Sequence, residues 1–214
     1  MTTALVIHGH FYQPPRENPW TELVEREPGA TPFHDWNERI HAECYRPNAF
    51  ARISDTHGRV ERVVNNYARL SFNFGPTLLN WLERRQPETY ARIIEADRTS
   101  VLRHAGHGND VAQGYHHAIL PLCNERDRRT QIRWGLADFR RRYRREAESL
   151  WLPETACDDA TLGALIEEGK GKMSIWVTSD ERHVPVKARL SHDIGSLDIT
   201  LKSINRQEAQ VAQR

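Results

Sequence analysis

Three short segments hold most of the residues that could do chemistry. The run Trp151-Leu152-Pro153-Glu154-Thr155 places a single carboxylate at the end of a short apolar stretch, where a parallel strand would deliver a side chain into a pocket. Glu154 is therefore the candidate nucleophile. His8-Gly9-His10-Phe11-Tyr12-Gln13-Pro14-Pro15 and Gly114-Tyr115-His116-His117-Ala118-Ile119-Leu120-Pro121 likewise end apolar runs in polar and ring-bearing residues. On residue type alone, Glu154 fits two roles equally: a nucleophile, or a structural carboxylate capping a helix that begins near Asp158. His8, His10 and His117 fit either a pocket or hydrogen-bonded filling at its mouth. His34, Asp35 and His107 read as loop packing or distal contacts, Asp97 as the end of a helix, and Phe72 and Phe74 as core.

These segments need elements that hold them. Residues 4–7 are apolar and lead through Gly9 to a proline pair, which predicts a buried strand running into a loop. The next fifty or so residues show no sustained period and read as a long loop with short turns. Val60, Val63, Val64 and Tyr67 recur at helical spacing, and Leu70 to Gly75 alternates as a strand does. Pro76 suits a first helical turn, and a helical pattern runs from Thr77 to about Ala96 with a break at Pro87. Val101 to Ala105 reads as another strand. A strong helix capped by Asp127 extends to about Glu146, with Ile132, Leu136, Phe139 and Tyr143 on one face. The strand into Trp151 follows, then a helix capped by Asp158 or Asp159. Alternating strands and helices predict an α/β fold with a parallel sheet.

The 214 residues suffice for one domain with a substantial core. Lys and Arg number 30 against 29 Asp and Glu, a formal charge of +1, so no long-range field would gather nucleic acid or anionic lipid. Neither is expected as a partner. The run Arg140-Arg141-Arg142-Tyr143-Arg144-Arg145 continues a helical pattern and reads as a solvated face. Cys44, Cys123 and Cys157 have no C-x-x-C spacing, which argues against a disulfide framework or a structural zinc site. The N-terminus lacks a signal peptide's basic start and apolar length, and no segment reaches the ~20 apolar residues of a membrane span. A cytoplasmic chain is expected. The sequence contains no glycine-rich phosphate loop and no Gly-x-Ser-x-Gly elbow, which removes the commonest nucleotide-binding and serine-hydrolase readings.

Taken in order, the three segments resemble the conserved regions of the glycoside hydrolase family 57 N-terminal domain. His8 to Pro14 is similar to an H-x-H motif leading to Q-P, Gly114 to Pro121 to G-x-x-H-x-x-L-P, and Trp151 to Glu154 to the end of G-x-W-x-P-E. Pro32-Phe33-His34-Asp35-Trp36-Asn37 and Ser71-Phe72-Asn73-Phe74-Gly75-Pro76 resemble the family's bacterial, uncharacterised branch. The resemblance covers residues 4–169. It implies a partial (β/α)7-type barrel of the glycoside hydrolase/deacetylase kind, TIM-barrel-like, acting with retention on an α-glucan or oligosaccharide as an amylase or glucanotransferase does, without a cofactor. It makes Glu154 the nucleophile, with His10, Gln13 and His117 lining the sugar subsite, Trp151 as its wall, and His8 in a lesser contact. A retaining mechanism needs a second, protonated carboxyl about 5 to 5.5 Å away. Imidazoles and carboxamides can both donate to and accept from sugar hydroxyls, and Trp151, Tyr12 and Tyr115 can cover a pyranose face.

Two departures stand out. Ser149 occupies the position where the third motif has Gly, and the family's acid/base Asp, carried by a later motif, has no counterpart here. Asp180, Asp193 and Asp198 are candidates by type alone. The organisation expected is a catalytic barrel portion over residues 1–169 and a divergent, irregular tail over 170–214, as a truncated or frame-shifted reading frame would produce. Two alternatives remain at this stage. One is a catalytically incomplete fragment with a residual carbohydrate-binding surface. The other is a metal-dependent polysaccharide deacetylase in which His8, His10, His117 and Asp35 hold a metal ion.

Overall fold

The computed structural model describes residues 5–169 and the backbone of three later strands, 172–177, 185–192 and 195–200. Backbone contacts divide the chain into two units, residues 1–161 and 162–214.

In the first unit four strands run parallel: β1 (His8–Phe11), then, after a helical segment and a hairpin, β4 (Ser71–Phe74), β5 (Ala112–Gln113) and β6 (Leu150–Trp151). The helical segment is α1 (Trp36–Ile40) and α2 (Arg46–Ala49), joined by a π turn over His41–Tyr45; the hairpin is β2 (Ala51–Ser54) and β3 (Val60–Val64). Helices α3 (Pro76–Arg85) and α4 (Pro87–Arg103) connect β4 to β5, α5 (Glu125–Tyr143) connects β5 to β6, and α6 (Asp159–Glu168) starts in this unit and runs into the second. β1 pairs with β4 so that His10 lies beside Asn73 and Phe11 beside Phe74; β5 pairs with β6, placing Gln113 beside Trp151. A parallel bridge between Phe72 and Asp110 joins the two pairs. The order is therefore β1, β4, β5, β6, and among the described residues the strands do not close into a barrel.

Strand alternation sorts the chemistry from the packing, because successive side chains point to opposite faces. Ser71 and Asn73 share one face with His8 and His10. Phe72 and Phe74 point the other way, into a core with Phe11, Tyr45, Tyr67, Leu78, Leu82 and Ile93. Tyr67 is its centre: its ring meets Phe11, Phe72 and Phe74 edge-on at 5.4–5.6 Å, and its hydroxyl donates to the Tyr45 carbonyl at 3.1 Å. The proposed core roles of Phe72 and Phe74 hold. Helix α5 crosses β5 so closely that a Cβ on Gly135 would lie 1.9 Å from the Gln113 carbonyl oxygen, so only glycine allows this approach.

Several elements differ from the sequence expectation. The first strand starts at His8; Leu5, Val6 and Ile7 are exposed, because pairing with β4 sets the register. Val60, Val63 and Val64 lie in a strand, since β-branched residues suit a ladder. The tip of this hairpin is built by Asp55, whose carboxylate accepts from the backbone N–H of His57 and Arg59 at 2.8 Å, and by Gly58 at φ +79°. Residues 101–103 continue α4, and the strand expected there is β5. Asn124, rather than Asp127, caps α5, accepting from the Asp127 N–H at 2.9 Å. The supposed loop after β1 contains α1, capped by Asp35.

The arginine run is not a uniformly solvated face. Arg144 adopts a left-handed conformation that ends α5. Arg142 is fully buried and binds Asp138 and Glu83 at 2.8 Å, the Tyr90 hydroxyl at 3.0 Å and Asn80, fastening α5 to α3 and α4. Arg145 reaches back to Asp97, which lies within α4 and does not end it.

In the second unit β7 (Lys172–Val177), β8 (Pro185–His192) and β9 (Gly195–Thr200) form an antiparallel sheet in that order.

Candidate active site

One face of the four parallel strands presents a layer of polar and ring-bearing side chains: His8 and His10 from β1, Asn73 from β4, Gln113 from β5 and Trp151 from β6. Two strands separate β1 from β6, which in a flat sheet would put them roughly 14 Å apart. The Trp151 ring nevertheless stacks on His8 with centroids 4.9 Å apart and on His10 at 5.0 Å, with interplanar angles of 11° and 20°. The sheet therefore curls toward this face, as the wall of a barrel does.

Asn73 and Gln113 fill the space beneath the rings, and both are buried. The Asn73 amide donates to Gln113 Oε1. Its Oδ1 lies 3.0 Å from His8 Nε2, and the Ser71 hydroxyl lies 3.0 Å from His8 Nδ1. Because an amide oxygen only accepts, the His8 proton sits on Nε2 and Nδ1 accepts from Ser71. His10 Nδ1 is 3.1 Å from Asn73 Oδ1 and 2.9 Å from its Nδ2, so Asn73 can serve either tautomer of that ring. His10 Nε2 faces His117 Nε2 at 2.9 Å, with one proton between them. Tyr12 stacks on the far side of His117 at 4.1 Å.

His117 and Glu154 both occupy the left-handed region, at φ +57° and +55°. Non-glycine residues held there carry strain of order 1–3 kcal/mol and cluster at functional sites. In Glu154 this turn directly follows β6, lifting the carboxylate off the strand end. That carboxylate is exposed and accepts no hydrogen bond among the described residues. The cap of α6 is instead Asp158, which accepts from the Thr161 N–H at 2.7 Å, so the capping role weighed for Glu154 falls to another residue. Burial and the neighbouring His10 lower the pKa of His117 below the ordinary histidine value, and the negative charge of Glu154 partly restores it. Glu154 and His117 are thus electrostatically coupled.

The structure brings His8, His10, His117 and Trp151 together from three remote segments, with Glu154 at their edge. Gln13 is placed differently: its amide donates to the Tyr45 hydroxyl at 3.3 Å and accepts from Arg16 at 3.0 Å, while Thr77 binds its carbonyl at 2.9 Å. Gly75 lies under the Tyr12 ring, where a Cβ would come within 2.8 Å of it. Asn73 and Gln113 are the residues that sequence reasoning missed. Asn73 was legible in one respect, as the polar member of an alternating Phe-Asn-Phe strand. Gln113 had no comparable signal.

The alternative metal-ligand set is not assembled. The Asp35 carboxylate accepts from the Glu38 N–H at 3.0 Å as a helix cap and pairs with His34 at 3.0 Å. Among the described residues, no three His, Cys, Asp or Glu side chains are arranged to hold a metal ion. Asp180 and Asp193 lie outside the described residues, as does the side chain of Asp198. Among the described residues no helix is long and apolar enough to cross a membrane.

The sequence profile of the family described as Glycosyl hydrolase family 57 matches residues 4–197, beyond the limit of 169 drawn from the motifs. A 4-alpha-glucanotransferase from Thermococcus litoralis is similar in structure, with a TM-score of 0.50 and 20% identity over 77% of this chain. An exo-type maltose-forming amylase from Pyrococcus sp. ST04 has a TM-score of 0.50 and 14% identity over 76%. This chain spans 21% and 28% of those two. A search of curated proteins finds no match. The fold is α/β, part of a (β/α)7-type barrel. With the profile covering most of its length, the chain belongs to glycosyl hydrolase family 57.

Proposed function

We propose that this chain carries the nucleophile wall of a site that cleaves or transfers α-linked glucans with retention of configuration. Glu154 attacks the anomeric carbon as the glycosidic C–O bond breaks and the departing oxygen takes up a proton, forming a glycosyl-enzyme; water or another sugar's hydroxyl then attacks the same carbon, gives up a proton and releases the carboxylate. The observation that carries the reading is the meeting of His10, His117 and Trp151 from three strands or the turns after them, with Glu154, in the turn after β6, near enough to act on the charge of His117; the C-terminal ends of parallel strands supply the catalytic groups of β/α barrels. The named activities of the two similar structures, glucan transfer and maltose formation, support the substrate class.

Each group has a task consistent with its surroundings. An exposed carboxylate with no hydrogen-bond donor among the described residues keeps its lone pairs for attack. Burial favours the uncharged form of His117, which then both donates and accepts. With His10, it forms a pair that can shift one proton as sugar hydroxyls bind. Trp151 is pinned between those rings and the strand and presents an apolar wall. The acid/base is assigned to no described residue.

The test is covalent. A fluorinated α-glucosyl donor should add one glycosyl mass to the chain, mapped by peptide mass spectrometry to Glu154. Glu154→Gln should take up no label and lose at least about 1,000-fold in α-glucoside cleavage. A folded wild-type chain that neither labels nor cleaves would exclude the nucleophile role in this chain and favour a noncatalytic, sugar-binding fragment.

A further inference from the structure

The turn after β5 serves two places. His117 completes the pocket, but Tyr115 and His116 meet Trp134 on the outer face of α5. The three rings stand nearly perpendicular to one another: Tyr115 to His116 at 4.8 Å and 73°, Tyr115 to Trp134 at 5.8 Å and 82°, His116 to Trp134 at 6.2 Å and 64°. With Ala137, Asp138 and Arg141 they line a shallow, open cleft of about 400 Å³. Trp134 is 52% exposed there.

The platform is built rigidly. Gln131 Oε1 accepts from the His116 backbone N–H at 2.7 Å, which fixes its amide so that Nε2 donates to His116 Nδ1 at 3.1 Å. The His116 ring proton therefore sits on Nε2. The Tyr115 N–H binds the Gln131 carbonyl at 3.1 Å, and its hydroxyl accepts from Asn80 at 3.2 Å. Arg141 is half exposed, and its ion pairs with Glu83 and Asp138 are long, at 3.4 and 3.3 Å, so it can exchange them for a neutral hydroxyl at little cost. The cleft thus offers an apolar indole face, preset rings and hydrogen-bonding groups beside them. A pyranose has the matching features, an apolar C–H face ringed by hydroxyls, whereas an aliphatic peptide would leave the polar groups unpaired.

We propose that the Tyr115, His116 and Trp134 cleft is a second carbohydrate-binding site, taking one or two pyranose units of an α-linked glucan outside the pocket that holds Glu154. The choice of an α-glucan among glycans rests on the function proposed above for that pocket. The shared segment 114–117 ties the two places together, so that a long chain held at the cleft is kept near the pocket while a short substrate gains nothing from it.

The experiment is affinity electrophoresis and titration calorimetry of the full chain with soluble starch, maltoheptaose and a β-glucan. Wild type is compared with Trp134→Ala, Trp134→Phe and the pocket variant Trp151→Ala, each checked for folding by circular dichroism. Wild type and Trp151→Ala should both be retarded by starch. Trp134→Ala should lose at least about tenfold in affinity, and Trp134→Phe should recover part of it. Trp134→Ala binding as tightly as wild type, or no retardation of wild type, would overturn the cleft. A preference for the β-glucan would overturn its ligand class. Cleavage of a short aryl α-glucoside reads the pocket independently: a chain inactive on it but retained through Trp134 keeps the cleft and loses the pocket reading, and an active chain indifferent to Trp134 does the reverse.

Discussion

His117 is the residue at which the opposing influences of the pocket meet. Burial and His10 hold its pKa down, and Glu154 pulls it up. Removing the Glu154 charge should therefore lower it further. NMR titration of the His117 ring should show a wild-type pKa below the ordinary 6.5 and a lower one in Glu154→Gln; a rise in the variant would contradict the coupling. Asn73 is the hub beneath. Asn73→Ala leaves His8, His10 and Gln113 each short of a buried partner, which should cost about 1–3 kcal/mol in urea unfolding. It should also shift the ring ¹⁵N signals of both His8 and His10, since the amide fixes the His8 tautomer and hydrogen-bonds His10 Nδ1. Unchanged ring signals would show that the rings are held by Trp151 stacking alone.

At the scale of elements, the helical segment 36–49 contains a π turn at His41–Tyr45, an irregularity often found near functional sites. Its first residue, His41, is buried, bonds Thr89 on α4 at 2.9 Å, and has its pKa lowered to about 4 by burial, with the Arg46 charge adding to the effect. The folded-state pKa is below the unfolded value of 6.5, so between pH 6.5 and 4 the unfolded chain binds more protons. The contribution is fully present above pH 6.5 and is lost as pH falls toward 4. Thermal midpoints should fall across that window, and His41→Gln should flatten the fall. An equally steep decline in the variant would assign the acid sensitivity to other groups. The turn matters to the site because Tyr45, at its end, holds Gln13 and packs beneath Phe11 on β1.

Across the first unit, the curl of the sheet is held from behind by charge as well as by the aromatic core. Arg145 grips both oxygens of buried Asp97 at 2.8 and 2.9 Å and the Asp110 carbonyl at 2.9 Å, tying α4, the start of β5 and the end of α5 together. Gly108 passes through this junction, where a Cβ would strike Arg145 and Asp97. Burial first, and then the nearby Asp97 charge, push the Asp110 pKa well up. Arg145→Met would leave Asp97 buried and unpaired, at a cost of about 3–5 kcal/mol. Guanidinium unfolding should show that loss, with part of it recovered in the Asp97→Asn, Arg145→Met double variant. A loss below about 1 kcal/mol would mean that water reaches the pair.

The sequence by itself determined the class of fold, the break between α3 and α4 at Pro87, the core role of Phe72 and Phe74, and the segments that meet in the pocket. These follow from local rules: period, proline geometry, and polar residues ending apolar runs. It misread the valines of β3 as helical because three apolar residues in a short window fit either period. It misread Arg142 and Arg145 because charge patterning does not reveal which arginine finds a buried carboxylate. Only the tertiary structure decided that His8 and His10 lie within β1, that Asn73 and Gln113 support them, that Gln13 turns to Tyr45, and that Asp158 caps α6. Each depends on contacts between residues far apart in the chain, fixed by strand register and by the curl of the sheet, and neither of those is encoded in any single segment.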